Sequence, residues 1–213
     1  MNDNLLATWE FSTDIDSSSL IFPDGCRDII LITEKREHPC WFVTPLFDQT
    51  ERVLIQAGSV MAGFRLKPGV RVKQECLLNL VSKRFFDDDD IYNCIDDFTF
   101  RNSCVGEALE YLAFEIKSVA HVAKEIGVSQ RTLQRLLMRE TNRSPTYWFM
   151  LARARKAARS LAEPIPLIEI ADSFGYADQA HMSRDFKRWF NISPSKLRDS
   201  PEILDQLYHS GYD

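Results

Sequence analysis

The stretch IADSFGYADQAHMSRDFKRWFNISP occupies residues 170–194, and VAKEIGVSQRTLQRLLMRETNRSP occupies residues 122–145. Aligned on Gly127 and Gly175, they are two copies of one pattern, 48 residues apart. Ahead of each glycine an amphipathic run carries Val122, Ala123 and Ile126, or Ile170, Ala171 and Phe174. Ala123 and Ala171 stand four residues before the glycine, where a small side chain lets a second helix cross closely. The glycine then permits the left-handed backbone of a tight turn. Two helices joined in this way form a helix-turn-helix.

Ser129 and Asp178 are the N-caps expected for the second helix of each copy. Each of those helices combines a buried stripe with a polar face. The stripe is Leu133, Leu136 and Leu137 in the first copy, and Met182 and Phe186 in the second. The polar face offers Gln130, Arg131, Gln134 and Arg135, then Gln179, His181, Ser183 and Arg184. Arginine pairs bidentately with guanine and glutamine with adenine, so these side chains suit a DNA major groove. Asn142 and Asn191 are placed to stop the helices in the αL conformation, with Pro145 and Pro194 three residues on, near the start of a further helix. The glycine-to-proline distance is 18 residues in one copy and 19 in the other, which predicts a longer second turn.

Between the copies, TYWFMLARARKAARSLA (146–162) has Trp148, Leu151, Ala154 and Ala158 at helical spacing, with Arg153, Arg155, Lys156 and Arg159 expected to decorate its surface. A stiff helix there would fix the separation of the two units. Successive major-groove faces on one side of DNA lie about 34 Å apart.

The first 75 residues read differently. SLIF (19–22), RDIILIT (27–33), CWFVT (40–44), RVLIQA (52–57) and SVMAGFRL (59–66) are short and rich in β-branched and aromatic residues, with turn formers between them. They predict a small sheet or partial barrel. From about residue 74 the pattern is helical, with Leu77, Leu78, Leu80, Val81 and Phe85 in phase. The carboxylate run Asp87–Asp90 is expected to be an exposed loop or a helix start. GEALEYLAFEI (106–116) reads as an amphipathic helix that serves as a linker or a dimerisation face. The expected division is 1–75 β-rich, 76–105 helical and acidic linker, 106–199 paired helix-turn-helix, and 200–213 tail.

Charge divides along the same line. Residues 1–105 hold 11 Lys/Arg against 17 Asp/Glu, net −6, whereas residues 118–198 hold 14 against 7, net +7. An acidic front half joined to a basic back half suits a nucleic-acid binder. At 45% hydrophobic and 27% charged residues the composition is that of a globular chain rather than a disordered one. No run of about 18 apolar residues is present, so no membrane partner is expected. MNDNLLATWEF lacks a signal-peptide pattern, which predicts a cytoplasmic protein. The five cysteines are odd in number and form no CxxC pair, as expected of reduced thiols.

The C-terminal residues resemble the AraC/XylS family of bacterial transcription regulators. HVAKEIGVSQRTLQRLLMRETNRSP is similar to that family's first helix-turn-helix, and IPLIEIADSFGYADQAHMSRDFKRWFNISPSKLR to its second. In the second, Ile170, Ala171, Gly175, Tyr176, Asp178, Arg184, Phe186, Lys187, Pro194 and Arg198 fit the family pattern. Met182 replaces the usual aromatic residue and Asn191 the usual glycine. The resemblance covers about residues 107–199. It implies seven helices, two of them in adjacent major grooves, and double-stranded DNA as partner. The eight polar residues named above would face bases, while Arg139, Lys187 and Arg188 would contact phosphates, which position without reading sequence. FPDGCRDIILI and VMAGFRLKPG resemble the sensor segment found before this domain in some family members, which implies a cupin-like β fold. The expected fold class is therefore α+β: a small β-rich domain, then an all-α domain of two helix-turn-helix units on a long linker helix. The resemblance leaves a small-molecule effector, a homodimer partner and RNA polymerase open as further partners.

No catalytic residue, cofactor or metal site is expected. Asp24, Cys26, Asp28, His38 and Cys40 would have to converge for a metal or thiol centre, and one histidine is too few for the usual cupin ligand set. Since all five cysteines precede residue 105, a thiol- or metal-responsive regulator is the alternative reading.

Overall fold

The computed structural model describes residues 3–34, 38–83, 88–114 and 118–212. The chain opens with six strands: β1 (Leu5–Ser12), β2 (Ser17–Ile21), β3 (Arg27–Thr33), β4 (Cys40–Val43), β5 (Glu51–Ile55) and β6 (Val60–Leu66). β1, β6, β3 and β4 form, in that order, an antiparallel four-stranded sheet, and β2 pairs with β5 in a separate ribbon. Among the described residues none of the sheets closes on itself, so the expected partial barrel is an open one.

β1 has no counterpart among the expected strands. Its place is set by Trp9, which lies opposite Gly63 of β6. A Cβ on Gly63 would stand 2.0 Å from the indole, so only glycine lets the ring lie flat across the strand.

β7 (Arg71–Val72) follows, then α1 (Gln74–Val81) and α2 (Asp88–Phe98), and β8 (Thr99–Phe100) closes a two-stranded pair with β7. The carboxylate run falls at the start of α2, where the helix dipole favours acidic residues; Asp87 and Phe85 lie outside the described residues. Leu77, Val81, Ile91 and Ile95 share one apolar core with Ile29, Val43 and Leu66 of the sheet. α1 and α2 are thus packed against the sheet.

Seven helices come next: α3 (Ser103–Phe114), α4 (Val119–Glu125), α5 (Gln130–Thr141), α6 (Pro145–Arg159, continued by a 3-10 turn at Ser160–Ala162), α7 (Leu167–Ser173), α8 (Gln179–Phe190) and α9 (Pro194–Arg198). α10 (Pro201–Gln206) ends the series. α4 with α5, and α7 with α8, are the two copies read from the sequence. A single core runs through both, built on Trp148 and Leu151 of α6, Leu133 and Leu137 of α5, and Met182 and Phe186 of α8. Phe22 and Tyr212 belong to this core as well. The front half therefore contributes to the stability of the helical half.

Candidate nucleic-acid interface

Both turns have the same construction. The amide of Val128 donates to Ala123 O and that of Gly127 to Lys124 O; Tyr176 to Ala171 O and Gly175 to Asp172 O repeat the pattern. This is the Schellman arrangement, with glycine in the left-handed region at φ 71° and 67°. A Cβ at either glycine would meet nothing within 4 Å, so backbone conformation, not space, selects glycine there. Ala123 and Ala171, the close-crossing positions, are buried. The second turn is longer by one residue, as the spacing predicts.

The caps hold as read. Ser129 accepts the amide of Thr132, and Asp178 accepts that of His181 at 2.6 Å. Asn142 and Asn191 end α5 and α8 at φ 54° and 56°, and Pro145 and Pro194 open α6 and α9. These contacts are local in sequence, so α5 and α8 are each bounded by their own residues.

The burial pattern turns α5 and α8 the same way. Leu133 and Leu137, or Met182, Phe186 and Phe190, face inward. At 100° per residue the outward direction then passes through Arg131, Arg135 and Met138 on α5, and through Ala180, Arg184 and Lys187 on α8. All six are exposed. Gln134 is exposed beside this line and Ser183 half-buried there, whereas Gln130 and Gln179 are exposed as the first residues of their helices, in line with the buried stripe. Arg139 and Arg188 lie, exposed, toward the opposite flank.

Two expected DNA contacts, the base contact His181 and the phosphate contact Arg139, have local roles. His181 is half-buried, its ring edge-on to Tyr176 at 5.3 Å and its Nδ1 accepting the amide of Ala177. That bond assigns the remaining proton to Nε2. Arg139 bonds Glu140 at 2.7 Å, and Glu140 also pairs with Arg71 of β7, so these cations hold its carboxyl below the usual range. Ala180, central on the outward face of α8, was missed because an alanine carries no polar signal; apolar side chains do contact the thymine methyl.

Arg153 and Arg155 were expected to decorate the surface of α6. Both are buried, and both bind something specific. Arg153 donates to Asp185 of α8 at 3.0 Å, Tyr176 donates to the same carboxylate oxygen at 3.1 Å, and the guanidinium lies 4.1 Å from the Tyr176 ring centroid. Burial and the Asp185 charge push the Tyr176 hydroxyl far above its ordinary pKa. This cluster fixes α8 to α6. Arg155 donates to the carbonyls of Pro23, Leu207 and His209, tying α6 to the front half and to the segment after α10.

The front half docks at two further places. In the loop after β4, Asp48 takes a bidentate bond from Arg143 at 2.9 and 3.0 Å, Phe47 O accepts the Tyr147 hydroxyl, and Thr50 donates to Trp189 O. One loop thus holds the start of α6 and the end of α8. The Pro23-Asp24-Gly25 turn packs on Trp148 and Tyr212, and Tyr212 N donates to Asp24 O at 2.7 Å. Asp24 and Asp28 are both bound by Arg65 at 3.1 Å, and Trp9 Nε1 donates to Asp28. These carboxylates therefore serve an internal ion cluster and do not converge with His38 and Cys40, which follow the far end of β3. Among the described residues no group of three or more His, Cys, Asp or Glu could hold a metal ion. Burial pushes the thiols of Cys26 and Cys94 up, whereas Cys40, Cys76 and Cys104 are exposed. No described helix is long and apolar enough to cross a membrane.

Residues 122–200 match the family model of a helix-turn-helix domain. Over 105 residues the chain is 34% identical to the HTH-type transcriptional regulator VirS of Mycobacterium tuberculosis, which covers 48% of this chain and 30% of that protein. Over 82 residues it is 29% identical to the multiple antibiotic resistance protein MarA of Escherichia coli, covering 38% and 65%. Among solved structures, the C-terminal domain of AraT, a response regulator from Geobacillus stearothermophilus, is 28% identical with a TM-score of 0.43, over 46% of this chain and 86% of that one. The chain spans about a third of VirS and under two thirds of MarA.

Proposed function

We propose that this chain, whose residues 122–200 are an AraC-type helix-turn-helix DNA-binding domain, regulates transcription by reading two adjacent major-groove segments, one with each copy of the motif. The observation that carries this reading is the matched pair α5 and α8. They have equivalent caps and ends, equivalent buried faces, and polar outward faces that stay exposed with the front half docked. Gln130, Arg131, Gln134 and Arg135 read one block; Gln179, His181, Ser183 and Arg184 read the other, with Ala180 beside them. Arg139, Lys187 and Arg188 take phosphates. α6 is about 22 Å long at 1.5 Å per residue, and with its Arg153–Asp185 clamp it holds the spacing.

Residues 1–75, with α1 and α2 packed on them, supply the modulation, because loop 44–50 and Arg155 connect the sheet half to both ends of the reading unit. In the thiol-responsive alternative the sensing groups are Cys40, Cys76 and Cys104, which are exposed and free.

In-vitro selection of random duplex DNA, with footprinting of the enriched pool, tests the reading. The expected result is one site with two specified blocks about one helical turn apart. A repeated site would reveal binding as a homodimer. Failure to enrich any sequence, with the full chain and with residues 103–212 alone, refutes it.

A further inference from the structure

A cleft of about 610 Å³ lies between the β2–β5 ribbon and the end of the second reading unit. Its volume is in the range of small-molecule sites. One wall is apolar: Leu20 and Phe22 from the ribbon side, Phe190 at the end of α8, and Ile203 of α10. Phe22 and Phe190 meet edge to face at 6.0 Å, so this wall is continuous across the two halves of the protein. The rim is cationic. Arg52 of β5, Lys187 of α8 and Lys196 of α9 line it, and no acidic side chain does. Arg52 bonds the Ser18 hydroxyl, and among the described residues no carboxylate pairs with any of the three.

Three positive charges from three elements around one opening repel one another, and an anion between them removes that cost. A single carboxylate would leave most of the positive charge unmatched. A phosphate monoester carries close to two negative charges at neutral pH, with oxygens enough for three donors. The apolar wall gives bare inorganic phosphate nothing to bury, and gives a DNA backbone nothing either. We propose that this cleft binds a small organic phosphate monoester, its head held by Arg52, Lys187 and Lys196 and its apolar body lying on the half-buried Leu20 and Ile203.

A consequence for regulation rests on the DNA-reading proposal above. Lys187 lies on the outward face of α8, one turn beyond Arg184, where it is assigned to a DNA phosphate. A bound ligand takes that cation, so ligand and DNA each weaken the other by the same factor.

The test is calorimetric titration of the full chain with 1-naphthyl phosphate, with inorganic phosphate and 1-naphthol as the two halves of the probe. One saturable site per chain is expected, at least tenfold tighter for the ester than for either half. Arg52→Gln and Lys196→Gln should each weaken it about tenfold while leaving the urea midpoint in place. Equal binding of 1-naphthol, no saturation, or indifference to both substitutions overturns the site. So does loss of DNA affinity and of salt dependence in these variants without any ester binding, which would give the cleft to the DNA backbone. In a parallel DNA titration the ester should raise the DNA Kd, and a Kd unchanged at saturating ester overturns the linkage. A chain that binds the ester but no DNA under any condition overturns the regulator reading and leaves the ligand site standing.

Discussion

Replacing Asp185 with alanine leaves two buried groups without their partner. The Arg153 guanidinium loses its counter-ion, and the Tyr176 hydroxyl loses its acceptor. Removing one member of a buried ion pair costs about 3–5 kcal/mol, and leaving a buried hydroxyl without its acceptor costs about 1–3 kcal/mol besides. Against a folding free energy on the order of 5–15 kcal/mol, that is a large fraction. The pair is also incompletely served in the wild type, because among the described residues Arg153 Nε has no acceptor. Its desolvation is therefore not fully offset by the Asp185 bond. The double change Arg153→Met with Asp185→Leu removes the unmatched charge but leaves the Tyr176 hydroxyl without its acceptor, so it should lie about 1–3 kcal/mol below the wild type and above the single variant. Urea unfolding followed by tryptophan fluorescence reads this directly, since Trp148 and Trp189 are buried in the same core. A loss below about 1 kcal/mol for Asp185→Ala would refute the reasoning, as would a double variant no better than the single. The single change should also blur the block of the DNA site read by α8 while leaving the α5 block sharp, because Asp185 holds α8 alone.

Three further outcomes are expected. Arg184→Ala should cost about 1–3 kcal/mol at one base position, whereas Ala180→Glu should abolish discrimination throughout the second block, since a carboxylate in the groove faces base acceptors and phosphates; competition binding against single-base variants of the selected site measures both. Burial pushes the Tyr147 hydroxyl, which donates to Phe47 O, up to about 12. A group raised above its unfolded value near 10 stabilises fully below that value and loses the contribution as pH rises through the folded one, so the docking of loop 44–50 should weaken between about pH 10 and 12. Phenolate absorbance against stability across that range checks the sign, and a Tyr147 that ionises near 10 with no stability change would contradict it. In a thiol-reagent time course on the native protein, Cys40, Cys76 and Cys104 should react before Cys26 and Cys94, whose buried thiols disfavour the reactive thiolate. Fast reaction at Cys26 would show that the Pro23-Asp24-Gly25 turn opens in solution.

What the sequence by itself determined is whatever depends on residues close along the chain. The Ser129 and Asp178 caps, the glycine turns and the Asn142 and Asn191 stops each rest on contacts within a few residues, so spacing and residue type were enough to place both reading helices. Tertiary structure decided what depends on partners far away in sequence. The alternation in LLATWEFS is weak, and β1 forms because Gly63 makes room for Trp9 on the neighbouring strand. Arg153 and Arg155 look like surface decoration on α6, since a helical repeat gives the direction of a side chain but not what stands opposite it. Asp185 lies 32 residues from Arg153, and Pro23 lies 132 residues from Arg155. Ala180 went unnoticed for a related reason: its place on the outward face comes from the direction in which the core turns α8, not from its own chemistry. The cleft beside Arg52, Lys187 and Lys196 could not be read from any stretch of sequence, because Arg52 of β5 meets the lysines of α8 and α9 only once the sheet half has docked against them.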